Sequence, residues 1–154
     1  MWQQVISQSD ADSLMKTFGS FHDGCIRELQ VWGGYYVSPD LRMTCPDTPD
    51  LKCRVLVQRQ RANPAAVELL FDGVSQVSVA APAGYDRIIL AATLLVEAGK
   101  IVWSPDHAFD ESQHEFGMSS AIVARRLWWR PVADGLGSGL AYPRLNEMPN
   151  GFAL

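Results

Sequence analysis

Phe21-His22-Asp23-Gly24-Cys25-Ile26-Arg27-Glu28-Leu29 is where the residue pattern changes period. Upstream, Ala11, Leu14, Met15 and Phe18 recur at helical spacing, and Gly19 follows as a terminator. From Gly24 onward, Cys25, Arg27, Leu29 and Val31 alternate with Ile26, Glu28, Gln30 and Trp32. That is the two-residue period of a strand. A helix over about 10–18 therefore hands over to a strand near His22-Asp23. Ser9 is placed as the helix cap, with Asp12 three residues on at the positive helix end.

Working outward, Gly33-Gly34 turns the chain into Tyr35-Tyr36-Val37, and three prolines between Ser38 and Leu51 mark a loop. Cys53, Val55 and Val57 alternate along Lys52–Arg61. After Asn63-Pro64, Val67, Leu69 and Phe71 alternate with Glu68, Leu70 and Asp72. Asp72-Gly73 is a hairpin-type dipeptide leading to Val77 and Val79. Arg87–Glu97 is apolar enough for a central strand covered on both sides. Ala98-Gly99-Lys100 turns into Ile101-Val102-Trp103, and Ser119–Arg130 reads as a final strand with Ile122, Ala124 and Leu127 inward. Periodicity is lost over 131–154, which predicts a loosely structured tail. The expected fold is α+β, one domain over 1–154: a strongly bent antiparallel sheet or open barrel of six to eight strands, with the N-terminal helix packed on it.

A chain of 154 residues buries roughly two thirds of its unfolded surface without a staple. The formal net charge of −4 offers no basic field for nucleic acid. No apolar run reaches the roughly 18 residues of a membrane span. Three cysteines are an odd count, which argues for free thiols and a cytoplasmic location.

His22-Asp23 offers an imidazole beside a carboxylate, the material for a general base, a metal ligand or a ligand contact. Adjacent residues on an extended backbone point apart, so a structural junction, with Asp23 bonding backbone amides and His22 closing a buried hydrogen bond, is the plainer reading of the pair. His107 and His114 lie in an acidic loop over 106–115 and join His22 as candidate metal ligands. Their spacing fits no established metal signature, and a solvated acidic loop is the plainer reading. Trp128-Trp129, flanked by Arg125, Arg126 and Arg130, predicts a partner-contact patch, because adjacent strand residues face opposite sides. Arg59, within Gln58-Arg59-Gln60-Arg61, is a candidate carboxylate contact, or a member of a polar face paired with Glu68. There is no Gly-x-Ser-x-Gly elbow, phosphate loop or dinucleotide fingerprint.

The order Phe21-His22-Asp23-Gly24-Cys25-Ile26, Gly34-Tyr35-Tyr36-Val37, Val57-Gln58-Arg59-Gln60, Val67–Val74, Tyr85, Ile101-Val102-Trp103 and Ala124–Arg130 resembles a family of small bacterial proteins without an assigned activity. The likeness spans roughly 18–130 and implies no chemistry. His22-Asp23 leading into a strand is also similar to immunity proteins of bacterial polymorphic-toxin systems. That resemblance implies a cytoplasmic protein that binds and blocks a toxin. The function expected is non-enzymatic binding, with no cofactor, nucleic acid or membrane. A protein partner is expected, and the state is monomer or homodimer, the latter through the strand edge near 119–130. The alternatives are a metal-assisted hydrolase or lyase using His22, Asp23 and the 106–115 loop, and a small-molecule carrier.

Overall fold

Ser7, rather than Ser9, begins the helix. Its hydroxyl accepts from the Asp10 backbone amide, and the Asp10 carboxylate accepts from the Ser7 amide at 2.8 Å. The bond from the Ser7 side chain, then those from the Ile6 and Ser7 amides, hold the Asp10 carboxyl below its ordinary range. Helix α1 runs Gln8–Thr17, and its Ala11 and Leu14, with Phe18 just beyond, are buried. A 3₁₀ turn follows at Gly19–Phe21.

The computed structural model describes residues 1–45, 47, 51–80, 87–107, 109–110, 119–133, 135–140, 142, 147–150 and 152. Its strands are β1 (Gln3–Val5), β2 (Gly24–Gly33), β3 (Tyr36–Val37), β4 (Met43–Thr44), β5 (Leu51–Arg59), β6 (Ala66–Val74), β7 (Gln76–Ser78), β8 (Thr93–Glu97), β9 (Lys100–Ser104), β10 (Ala121–Ala124) and β11 (Arg126–Pro131). All pairings are antiparallel. They form a five-stranded sheet in the order β1-β11-β6-β5-β2, a four-stranded sheet in the order β7-β10-β9-β8, and the two-stranded β3-β4. Among the described residues the sheets are open and do not close on themselves.

The two larger sheets meet at a corner. Gly73 does not turn a hairpin, as its Asp-Gly context predicts; it bends the chain from β6 into β7 with φ +61°. Arg125 marks the matching bend between β10 and β11 and bonds across to Asp72, while Ser75 bonds to Val123. Strands that switch sheets through such bends build sandwich corners. The inward positions change parity on both strands. Val67, Leu69 and Phe71 give way to Val74, and Ile122 and Ala124 give way to Leu127 and Trp129. A bulge at Arg27 does the same in β2, bringing Ile26 and Leu29 to one side.

Residues from α1 and both large sheets share one apolar cluster. Trp103 lies at its centre, 5.9 Å from the Phe21 ring and 6.3 Å from Phe71. The Gln8 side chain ties the helix to β8, accepting from the Val96 amide at 2.8 Å and donating to the Leu94 carbonyl at 3.3 Å. The predicted central strand over Arg87–Glu97 is corrected: only Thr93–Glu97 is a strand, and β8 is a sheet edge with Leu95 43% exposed. A continuous apolar run does not distinguish a buried strand from an edge with one wet face.

A Cβ on Gly73 would stand 3.1 Å from the Arg125 side chain, in a left-handed backbone conformation. Gly73→Ala is expected to lower the urea-unfolding free energy by about 1–2 kcal/mol. Gly33→Ala, where a Cβ meets nothing within 4 Å, is expected to stay within about 0.5 kcal/mol.

Candidate functional site

The alternation that buries Cys53, Val55 and Val57 on one face of β5 sends Lys52, Arg54 and Leu56 to the other. On β6 the same face carries Glu68, Leu70 and Asp72, and on β11 Arg126, Trp128 and Arg130. Two cations, two anions and two cations thus stand on three adjacent strands. Lys52, Asp72 and Arg126 are in direct register, as are Leu56, Glu68 and Arg130.

Glu68 is the centre of this face, with no exposed surface. Its Oε1 accepts from Arg54 through Nε at 2.9 Å and through Nη2, and its Oε2 accepts from Arg130 Nε at 2.8 Å. Asp72 pairs with Arg126 and lies 3.9 Å from Lys52 Nζ. A carboxylate removed from water is tolerated when charge-assisted bonds replace hydration.

Residues after β11 lie over this face. The Arg54 guanidinium sits 4.3 Å from the centre of the Tyr142 ring, and Lys52 Nζ lies 5.8 Å from that of Phe152. Phe152 meets Trp128 edge-on at 5.7 Å and Trp32 at 6.4 Å. Glu147 pairs with Arg130 at 2.5 Å, and the Glu28 carboxylate accepts from the Tyr142 amide. Burial, with the Glu68 charge second, raises the Tyr142 phenol well above its ordinary value, so it stays protonated. Among the described residues its buried Oη has no hydrogen-bond partner. Gln58 donates to the Gly135 carbonyl at 2.6 Å, and Arg27 to that of Ser138. Within the stretch predicted as a loose tail, Gly135, Ser138, Tyr142, Glu147 and Phe152 thus contact the sheet.

Among the described residues, those singled out in the sequence do not form a common centre. His22 Nδ1 and Asp23 Oδ1 are 3.5 Å apart, with side chains 62% and 42% exposed. Asp23 acts through its backbone: its amide donates to Ile89 and its carbonyl accepts from Gln60. Arg59 stacks 4.2 Å from the centre of the Phe18 ring and donates to the carbonyls of Pro64 and Thr17, so it ties the helix end to the β5–β6 turn. It does not pair with Glu68, which takes Arg54 and Arg130 instead. Arg126 lies at the edge of the charged face, 5.8 Å from the Trp128 ring centre. Trp128 and Trp129 are only 7% and 4% exposed, because both faces of the sheet are covered. His107 is exposed in a turn, and His114 lies outside the described residues. Among the described residues, no three His, Cys, Asp or Glu side chains gather to hold a metal ion. No described helix is long and apolar enough to cross a membrane.

Lys52, Arg54, Asp72, Tyr142 and Phe152 are not singled out by the sequence, and Glu68 and Arg130 enter there only as neighbours of other candidates. The signal for the charged ones is the sign pattern at alternate positions of β5, β6 and β11. Comparison with protein-family models, curated proteins and solved structures returned no match.

Removing Glu68 leaves two buried guanidiniums without their shared anion. Glu68→Ala is expected to cost about 3–5 kcal/mol in denaturant unfolding. Burial pushes the Cys53 thiol up from 9.0 to about 12. The folded chain therefore holds that proton while the unfolded chain loses it, and stability falls as pH rises from about 9 toward 12. In the native protein at pH 8, a thiol reagent is expected to label exposed Cys45 and to reach buried Cys53 only on unfolding.

Proposed function

We propose that this chain is a non-enzymatic binding protein that engages a protein partner through the β3-β4 arm. The exposed apolar cluster on that arm carries the reading. Tyr35, Tyr36, Val37, Leu41 and Met43 are all exposed, as is Val31 near its root. A two-stranded ribbon this short cannot bury its own side chains. Aromatic residues and methionine are enriched at the centres of protein interfaces. The arm is pre-shaped, which lowers the cost of binding. The Ser38 amide and hydroxyl both donate to the Arg42 carbonyl, and Leu41 donates back to Ser38.

The specific form proposed is immunity-like capture of a toxin in the cytoplasm. The likeness at His22-Asp23 and the three free cysteines support it. The partner surface moves from Trp128-Trp129, where the sequence puts it, to the arm.

Tyr36→Ser/Met43→Ser removes the apolar surface without touching either large sheet. Cross-linked copurification from the native cells is expected to yield one stoichiometric partner with the wild type, reduced at least tenfold with the variant. Equal recovery by both proteins would overturn the assignment of the arm.

A further inference from the structure

Three of the buried charged side chains on the outer face of the five-stranded sheet are cations (Lys52, Arg54, Arg130) and two are anions (Glu68, Asp72). The excess positive charge meets a carboxylate from outside the sheet, that of Glu147 on Arg130. Two rings, Tyr142 and Phe152, cover the other cations, and Phe152 also sits against Trp128 and Trp32. These three residues belong to the segment after β11, and their contacts are of the kind one protein makes with an extended peptide of another: aromatic anchors in pockets and a charge pair at the rim. The Glu147 side chain is 84% exposed, so its pair with Arg130 lies at the edge of the seat. Among the described residues, the buried Tyr142 Oη has no hydrogen-bond partner.

We propose that the outer face of the five-stranded sheet is a peptide-binding site, occupied here by Tyr142, Glu147 and Phe152 of the chain itself. In exchange it takes an extended segment of a protein partner that offers an aromatic ring to Arg54, a second ring to the Lys52–Trp128 side and a carboxylate to Arg130. Charge complementarity sets the ligand class as acidic and aromatic. The tether favours the resident segment, because a linked ligand competes at an effective concentration of about millimolar. A partner enters when its segment outmatches that advantage. This surface is separate from the β3-β4 arm, and either assignment stands or falls without the other.

The probe is a fluorescent peptide of residues 138–154, titrated against full-length protein by anisotropy. Glu147→Arg in the full chain changes an exposed residue and repels Arg130, so the fold is kept while the resident segment is loosened. Tyr142→Ala/Phe152→Ala removes the ring anchors and is the second variant. Both are expected to bind the probe at least tenfold tighter than the wild type. A probe carrying Glu147→Lys is expected to bind at least tenfold weaker than the native probe. Equal probe binding by wild type and by folded Glu147→Arg protein would overturn the site, as would equal binding of the two probes. A concentration-dependent dimer of the Glu147→Arg protein without added peptide would assign the seat to a second copy and overturn the partner assignment.

Discussion

The Glu68 carboxylate, buried at the middle of the central strand of the five-stranded sheet, sets the terms for everything on that side of the molecule. One carboxylate with no water needs several donors, and only the two neighbouring strands can supply them. Arg54 comes from one side and Arg130 from the other. The guanidiniums then need cover of their own. Tyr142 supplies a ring to Arg54, and the Arg130 guanidinium stacks over the Trp2 ring, 4.6 Å from its centre. Tyr142, Glu147 and Phe152, from beyond β11, lie over this face. Buried ion pairs are weak contributors to stability compared with apolar packing, which directs attention to recognition.

The opposite face is built by the hydrophobic effect. Phe18, Phe21, Phe71 and Trp103 form its aromatic centre, closed by Leu14 and Ala11 of the helix. Holding Phe21 in that centre requires an abrupt chain path. Ser20, Phe21 and Asp23 all take positive φ, each at a cost of about 1–2 kcal/mol. The path is pinned to the 89–92 segment by bonds from Asp23 to Ile89, from Ile89 to Gly24 and from Ala92 to Ser20. His22-Asp23 is conspicuous in the sequence because the backbone turns there, and its side chains face outward.

Much of the strand content was legible. The alternations in β5 and β6 are clean because both strands are long and covered on both faces, and the helix face of Ala11, Leu14 and Phe18 is the one buried. The cap was misplaced because Ser7-Gln8-Ser9-Asp10 offers two serines, and the reciprocal bond chooses the one three residues before Asp10. The corner was misread as a hairpin because Asp72-Gly73 has the right composition for one; the parity changes at Gly73 and Arg125 are the sequence trace of a bend, and they are meaningful only when both strands are known to pair. The charged face was legible as sign-alternating strands. Its cover was not, since Tyr142, Glu147 and Phe152 sit in a stretch with no periodicity, and their places follow from cations contributed by distant residues.

The central claim is that the C-terminal segment is seated on the buried charge layer through Arg54. A double-mutant cycle with Arg54→Met and Tyr142→Leu, read by urea unfolding, tests it most directly. A coupling of about 1–2 kcal/mol is expected for a desolvated guanidinium on an aromatic face. Additivity within about 0.3 kcal/mol would contradict the contact and, with it, the seat.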